Sequence, residues 1–209
     1  MTPAHWYFDF ISPFAFLQWR RLRALGDRLP VAPVPILFAA VLDRIGQKGP
    51  AEIPGKRVFT YRHVLWRARR DGVALRFPPA HPFNPLAALR LSIALGNRTE
   101  AIDAIFDHLW VEGRAGDGAE ALAPVAARFG IDAAAALADP AVKDALKRNT
   151  EGALAAGLFG VPTLAFGDAL FWGEDATAMA LDYAEGRLDL AEVEFARIAT
   201  LPEAATRRA

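Results

Sequence analysis

Cysteine is absent from this 209-residue chain. That excludes structural disulfides, thiolate metal sites and any Cys-x-x-Cys redox centre. Histidine is scarce: His5, His63, His81 and His108 show no His-x-His or His-Glu-x-x-His spacing, so no metal site is expected. Charge of one sign is not in excess. Lys plus Arg equals Asp plus Glu at 24 each, so no global field argues for a nucleic-acid partner. Long hydrophobic runs are missing too. The longest, Val31 to Leu42, is interrupted by Pro33 and Pro35 and is too short to span a bilayer. The opening residues lack the basic and apolar regions of a signal peptide, and a cytoplasmic protein without a membrane partner is expected.

What is present suits a globular protein: 53% hydrophobic residues and 11% aromatic ones. The length fits one domain, or one domain with a sizeable insertion. Trp6 to Phe10 reads as an aromatic strand that stops at Ser12. A helix from Pro13 to about Leu25 follows, because Ser is a preferred N-cap and Pro is tolerated at the first helical position. Val31 to Phe38 reads as a second strand, which Pro33 and Pro35 assign to an edge or an end. Strand, helix, strand in under 40 residues implies a parallel pair with a right-handed crossover.

From Ala39 to Asn149 no strand is apparent. Helices open at Asn84-Pro85, Thr99, Ala119 and Asp139-Pro140 and close near Gly96 and Gly130. Strands resume after Gly160, where Gly167-Asp168 separates Thr163–Phe166 from Ala169–Trp172 as a hairpin signal. A last helix is expected from Asp175 to Glu185, and the Arg207-Arg208 tail is expected to fray. The expected division is a discontinuous α/β unit, residues 1–38 and 158–209, around an inserted helical domain, residues 39–157.

Three segments carry chemistry. Ser12 caps a helix whose unpaired amides and dipole favour a bound anion. With no thiol in the chain, a thiolate held there must come with a ligand. Val161-Pro162 precedes the third strand, and X-Pro is the one peptide class in which cis is accessible. Gly173-Glu174-Asp175 places two carboxylates at the start of the last helix. A capping role alone would explain them.

Asp9-Phe10-Ile11-Ser12-Pro13-Phe14-Ala15-Phe16, Gly160-Val161-Pro162-Thr163 and Phe171-Trp172-Gly173-Glu174-Asp175 together resemble motifs of the 2-hydroxychromene-2-carboxylate isomerases. Those enzymes form a DsbA-like branch of the thioredoxin superfamily, related to kappa-class glutathione transferases. The resemblance implies a thioredoxin-like α/β fold with an inserted all-helical domain, a homodimer, and glutathione as cofactor. It implies a glutathione-dependent cis-trans isomerase acting on 2-hydroxychromene-2-carboxylate or a related aromatic enone acid. Reversible thiolate addition would open the ring and permit rotation to trans-o-hydroxybenzylidenepyruvate.

In that scheme Ser12 is catalytic, donating a hydrogen bond to the thiolate. Such a bond is worth ~1.5–3 kcal/mol and the helix end adds ~0.3–1, enough to lower a thiol pKa of ~8.5 by roughly one to two units. The Val161 backbone, before Pro162, would pair with the cysteinyl part. Glu174 and Asp175 would hold the γ-glutamyl end, although relatives often carry a neutral residue at Glu174 and Arg at Ala176. Gln47 and Lys56 would serve anionic groups of cofactor or substrate.

Lys56 opens a run of seven bases ending at Arg76, which as a helix reads as a solvated face. His63 stands where relatives carry an acid. Phe14, Phe38, Phe83, Trp66 and Trp110 are core candidates first, and pocket lining second. Rival readings are a kappa-like glutathione transferase, which consumes glutathione, and a non-catalytic thioredoxin-like binding module.

Overall fold

The computed structural model describes residues 2–202, 204 and 205; the Arg207-Arg208 tail lies outside the described residues. Four strands form one sheet: β1 (Ala4–Phe8), β2 (Val31–Pro35), β3 (Thr163–Phe166) and β4 (Ala169–Trp172). Their spatial order is β2-β1-β3-β4. β1 runs parallel to β2 and antiparallel to β3, and β3 pairs antiparallel with β4. β2 is an edge strand, where Pro33 and Pro35 interrupt no second ladder.

The faces of β1 show why this strand sits centrally. Ala4, Trp6 and Phe8 alternate into the core and are fully buried. Trp6 stacks on Phe8 at 4.2 Å and on Trp19 of α1 (Pro13–Leu25) at 5.0 Å. Phe10 and Phe106 extend the cluster. The opposite face carries a smaller cluster of Ile36, Val41, Ala153, Leu158 and Val161, against which Tyr7 and Phe38 pack.

Between β2 and β3 the described chain is helical: α2 (Phe38–Ile45), α3 (Pro54–Arg70), α4 (Leu86–Ala94), α5 (Thr99–Phe106), α6 (Ala119–Arg128), α7 (Ala133–Ala138) and α8 (Pro140–Ala155). A π-helical turn, Asp107–Val111, continues α5. The stripe of Ile102, Ile105, Phe106, Leu109 and Trp110 is wholly buried. The helices α9 (Thr177–Ala184) and α10 (Val193–Ile198) close the chain.

Several boundaries differ from the sequence expectation. β2 ends at Pro35 rather than Phe38, because the Phe38 amide is taken by the Asp9 carboxylate as α2 begins. α9 starts at Thr177 rather than Asp175, since residues 173–176 form a separate turn. The helices α2, α7 and α10 are additional to those expected, and of the three only α7 has a side-chain N-cap, from Asp132.

Candidate active site

Ser12 is the N-cap of α1, with extended backbone (φ −87°, ψ 113°) and 8% of its surface exposed. Its Oγ accepts the Ala15 amide at 3.2 Å, leaving the hydroxyl proton free to donate elsewhere. The Phe14 amide is one of the orphan donors of a helix start. The turn leading into Ser12 is anchored by side chains. Trp110 Nε1 donates to the Phe10 carbonyl at 2.8 Å. Ile11 N donates to Asp9 Oδ1 at 3.1 Å, and Phe38 N to Asp9 Oδ2 at 2.9 Å. His81, from the long connection before α4, reaches the Ile11 carbonyl at 2.8 Å through Nε2.

Asp9 is fully buried. Desolvation pushes its carboxyl up to about 7, against the lowering effect of the backbone amides of Phe38, Ile11 and Phe10. Burial holds the His81 imidazole below its ordinary range, opposed by the Ile11 carbonyl and reinforced by the Arg57 charge. Neither residue figured among the sequence-derived site residues. The available signal for Asp9 was an acid inside an aromatic strand, which is a costly residue to bury.

The second segment lies at the same end of the sheet. Tyr7 pairs with Thr163, so Pro162 falls beside Phe8, just before the Ser12 turn. The Val161-Pro162 peptide is cis, as is His81-Pro82. Among the described residues, the Val161 amide and carbonyl make no hydrogen bond. Gly160 underlies the Trp172 indole so closely that a Cβ there would collide with Nε1. Trp172 is itself 54% exposed and packs edge-on against Phe159.

The third segment is tied to the other two. Gly173 N donates to the Pro162 carbonyl at 2.8 Å. Gln18 of α1, fully buried, donates through Nε2 to the Gly173 carbonyl at 3.0 Å and to Thr177 Oγ1 at 2.9 Å, and accepts the Trp6 indole N–H at 2.7 Å. One amide side chain therefore fixes the 173–177 turn against the helix that Ser12 caps. This role was not read from the sequence, where Gln18 stands among apolar residues.

The expected pair of carboxylates is divided. Glu174 is buried, its side chain 3% exposed, in an ion pair with Arg67 of α3, whose side chain is 12% exposed. Burial raises the Glu174 carboxyl while Arg67 and Arg21 lower it. Glu174 is thus engaged by Arg67 through one carboxylate oxygen, Oε2. Asp175 is exposed. Arg67 also corrects the reading of the basic run as a solvated face. Its Nε is buried without a hydrogen bond, 3.9 Å from Asp71 Oδ2.

Gln47 and Lys56 are exposed and neither bonds to the Ser12 turn. Lys56 lies in the first turn of α3, whereas the middle of that helix faces the site. There His63 packs on Phe14 (6.0 Å) and stacks on Trp66 (5.8 Å). Trp66, expected in the core, is 54% exposed, and so with Phe59 forms an aromatic wall that runs outward from α1. Trp110 is the core residue it was expected to be.

The sheet order, the helical segment between β2 and β3, and Ser12 capping α1 define a DsbA-like thioredoxin domain, whose family model matches residues 5–184. A probable DsbA oxidoreductase of Streptomyces coelicolor shares this fold, with a TM-score of 0.63 at 18% identity over 90% of this chain and 91% of that one. Among curated proteins, the 2-hydroxychromene-2-carboxylate isomerase of Pseudomonas putida is 32% identical over 87% of this chain and 93% of its own length. That of Sphingobium xenophagum is 28% identical over 87% and 95%. A solved 2-hydroxychromene-2-carboxylate isomerase superimposes with a TM-score of 0.76 at 27% identity, covering 92% of this chain and 98% of the other. The chain belongs to the 2-hydroxychromene-2-carboxylate isomerase family.

Proposed function

We propose that this protein is a glutathione-dependent isomerase of 2-hydroxychromene-2-carboxylate or a closely related aromatic enone acid. The observation that carries this reading is the Ser12 hydroxyl on the N-terminus of α1, with its acceptor side used by Ala15 and its proton free, in a family whose curated members are named for that isomerisation. The residues present fit glutathione at three points. Ser12 offers a donor at an electropositive helix end. The Val161 backbone offers an unpaired amide and carbonyl. Asp175 offers an exposed carboxylate for an ammonium. At the far end Asp175 is the exposed acid, and Glu174 is the buried one, paired with Arg67.

Bound there, glutathione would supply a thiolate that adds reversibly to the conjugated carbon of the substrate. Ser12 holds the sulfur in its charged form through a donated hydrogen bond, worth ~1.5–3 kcal/mol. Exposed Arg62, beside His63 in the middle of α3, supplies positive charge for the substrate carboxylate, and Lys56, in the first turn of that helix, adds to it at longer range. The wall of Phe14, His63 and Trp66 offers an aromatic face to the ring. Ser12→Ala would lower turnover about 10- to 100-fold, the loss of one charge-assisted bond, without altering the circular dichroism spectrum. Turnover near the wild-type value in Ser12→Ala would sink the assignment. Stoichiometric loss of glutathione during the reaction would instead mark a transferase.

A further inference from the structure

The two peptide planes that lead into Ser12 are each pinned at both ends. In the Phe10–Ile11 plane the carbonyl accepts from Trp110 Nε1 and the amide donates to Asp9 Oδ1. In the Ile11–Ser12 plane the carbonyl faces His81 Nε2 at 2.8 Å and the amide donates to the Asp9 carbonyl at 3.0 Å. With both planes fixed, the Ser12 Cα is held in place, and the Ala15 amide orients its Oγ. A carbonyl can only accept, so Nε2 of His81 carries the proton and Nδ1 of the neutral ring is an acceptor. The Tyr61 hydroxyl lies 2.7 Å from that Nδ1 and 2.7 Å from the His81 carbonyl. The ring is boxed by Tyr61, Phe77 and Trp110, at centroid distances of 5.2, 5.8 and 5.5 Å. The single Tyr61 proton is shared between Nδ1 and the His81 carbonyl, the imidazole is walled in, and its Nε2 bond reaches across about 70 residues of chain to the residue before Ser12.

We propose that His81 is a positioning residue for Ser12: its Nε2–H fixes the Ile11–Ser12 peptide, and Tyr61 on α3 fixes the imidazole. The inference rests on Ser12 being the working hydroxyl. It makes the helical segment a supplier of site geometry as well as of pocket walls.

The test compares His81→Phe, which keeps a ring and loses the donor, with His81→Gln, whose side-chain N–H can still reach the Ile11 carbonyl. Tyr61→Phe is a milder third variant. The first readout is hydrogen exchange of the Ala15 amide, the donor to Ser12 Oγ, measured by NMR without any ligand. In His81→Phe it should exchange about tenfold faster while the amides of Leu17 to Leu22 are unchanged, as expected for local loosening rather than global unfolding. The second readout is isomerisation. His81→Phe should lower kcat about tenfold with KM within about twofold, the signature of a misplaced catalytic group. His81→Gln should recover most of that loss, and Tyr61→Phe should fall between.

Unchanged Ala15 exchange in both His81→Phe and Tyr61→Phe would overturn the proposal. So would a kcat loss in His81→Phe that His81→Gln does not relieve. Full activity in Ser12→Ala would overturn the role of Ser12 instead, and the ligand-free exchange measurement would still decide whether His81 holds the cap.

Discussion

Replacing Asp9 by Asn should remove most of a pH dependence of stability that runs in an unusual direction for a carboxylic acid. Asp9 is fully buried at the end of β1, and its carboxyl is pushed from 3.8 to about 7 by loss of water. The unfolded chain gives up this proton near pH 4, whereas the folded chain keeps it until near 7. Between those values the native state binds more protons than the unfolded one, so stability falls as pH rises. The full contribution is present below pH 4 and is gone above about 7. At about 1.4 kcal/mol per pKa unit the loss amounts to about 4 kcal/mol.

An amide at this position cannot ionise. Its oxygen can accept from only one of the two backbone donors, Ile11 N and Phe38 N, a pH-independent cost of about 1–3 kcal/mol. Urea unfolding from pH 4 to 8.5 separates the two effects. The wild-type curve minus the Asp9→Asn curve should slope downward between pH 4 and 7 and then level off. Parallel curves would refute the reasoning, because they would mean that the buried carboxyl titrates normally.

Arg67→Ala should destabilise the fold by about 3–5 kcal/mol, since it removes the ion-pair partner of the buried Glu174 carboxylate. Pairing it with Glu174→Gln should restore a large part of the loss, and denaturant midpoints of the four proteins test this. Gln18→Leu removes three bonds that tie Trp6 and the 173–177 turn to α1. It should cost about 2–4 kcal/mol and, in the glutathione-dependent reaction proposed above, raise KM for glutathione more than it lowers kcat, which steady-state kinetics would separate. His81 has the opposite linkage to Asp9. Its basicity is lowered by burial, so the stability it contributes is present above its ordinary pKa and is lost as pH falls. A His81→Gln variant should show a shallower decline on the acidic side in the same unfolding series.

What the sequence by itself determined was local and periodic. Ser12-Pro13 announces a helix start because a hydroxyl caps orphan amides and Pro lacks one. Gly167-Asp168 announces a hairpin, and the strand prolines place β2 at an edge. These signals act over a few residues, so one chain suffices to read them, and with the motifs around Ser12, Val161-Pro162 and Gly173 they led to the right family. The tertiary structure decided which charges meet. Glu174 and Asp175 are adjacent in the chain, yet one is buried against Arg67, 107 residues away, and the other faces water. The roles of Gln18 and His81 were silent because their partners are distant in the chain: Gln18 meets Trp6 of β1 and the 173–177 turn, and His81 meets Ile11 and Tyr61. A buried polar group is defined by what satisfies it, and at this site the satisfying atoms come from across the fold.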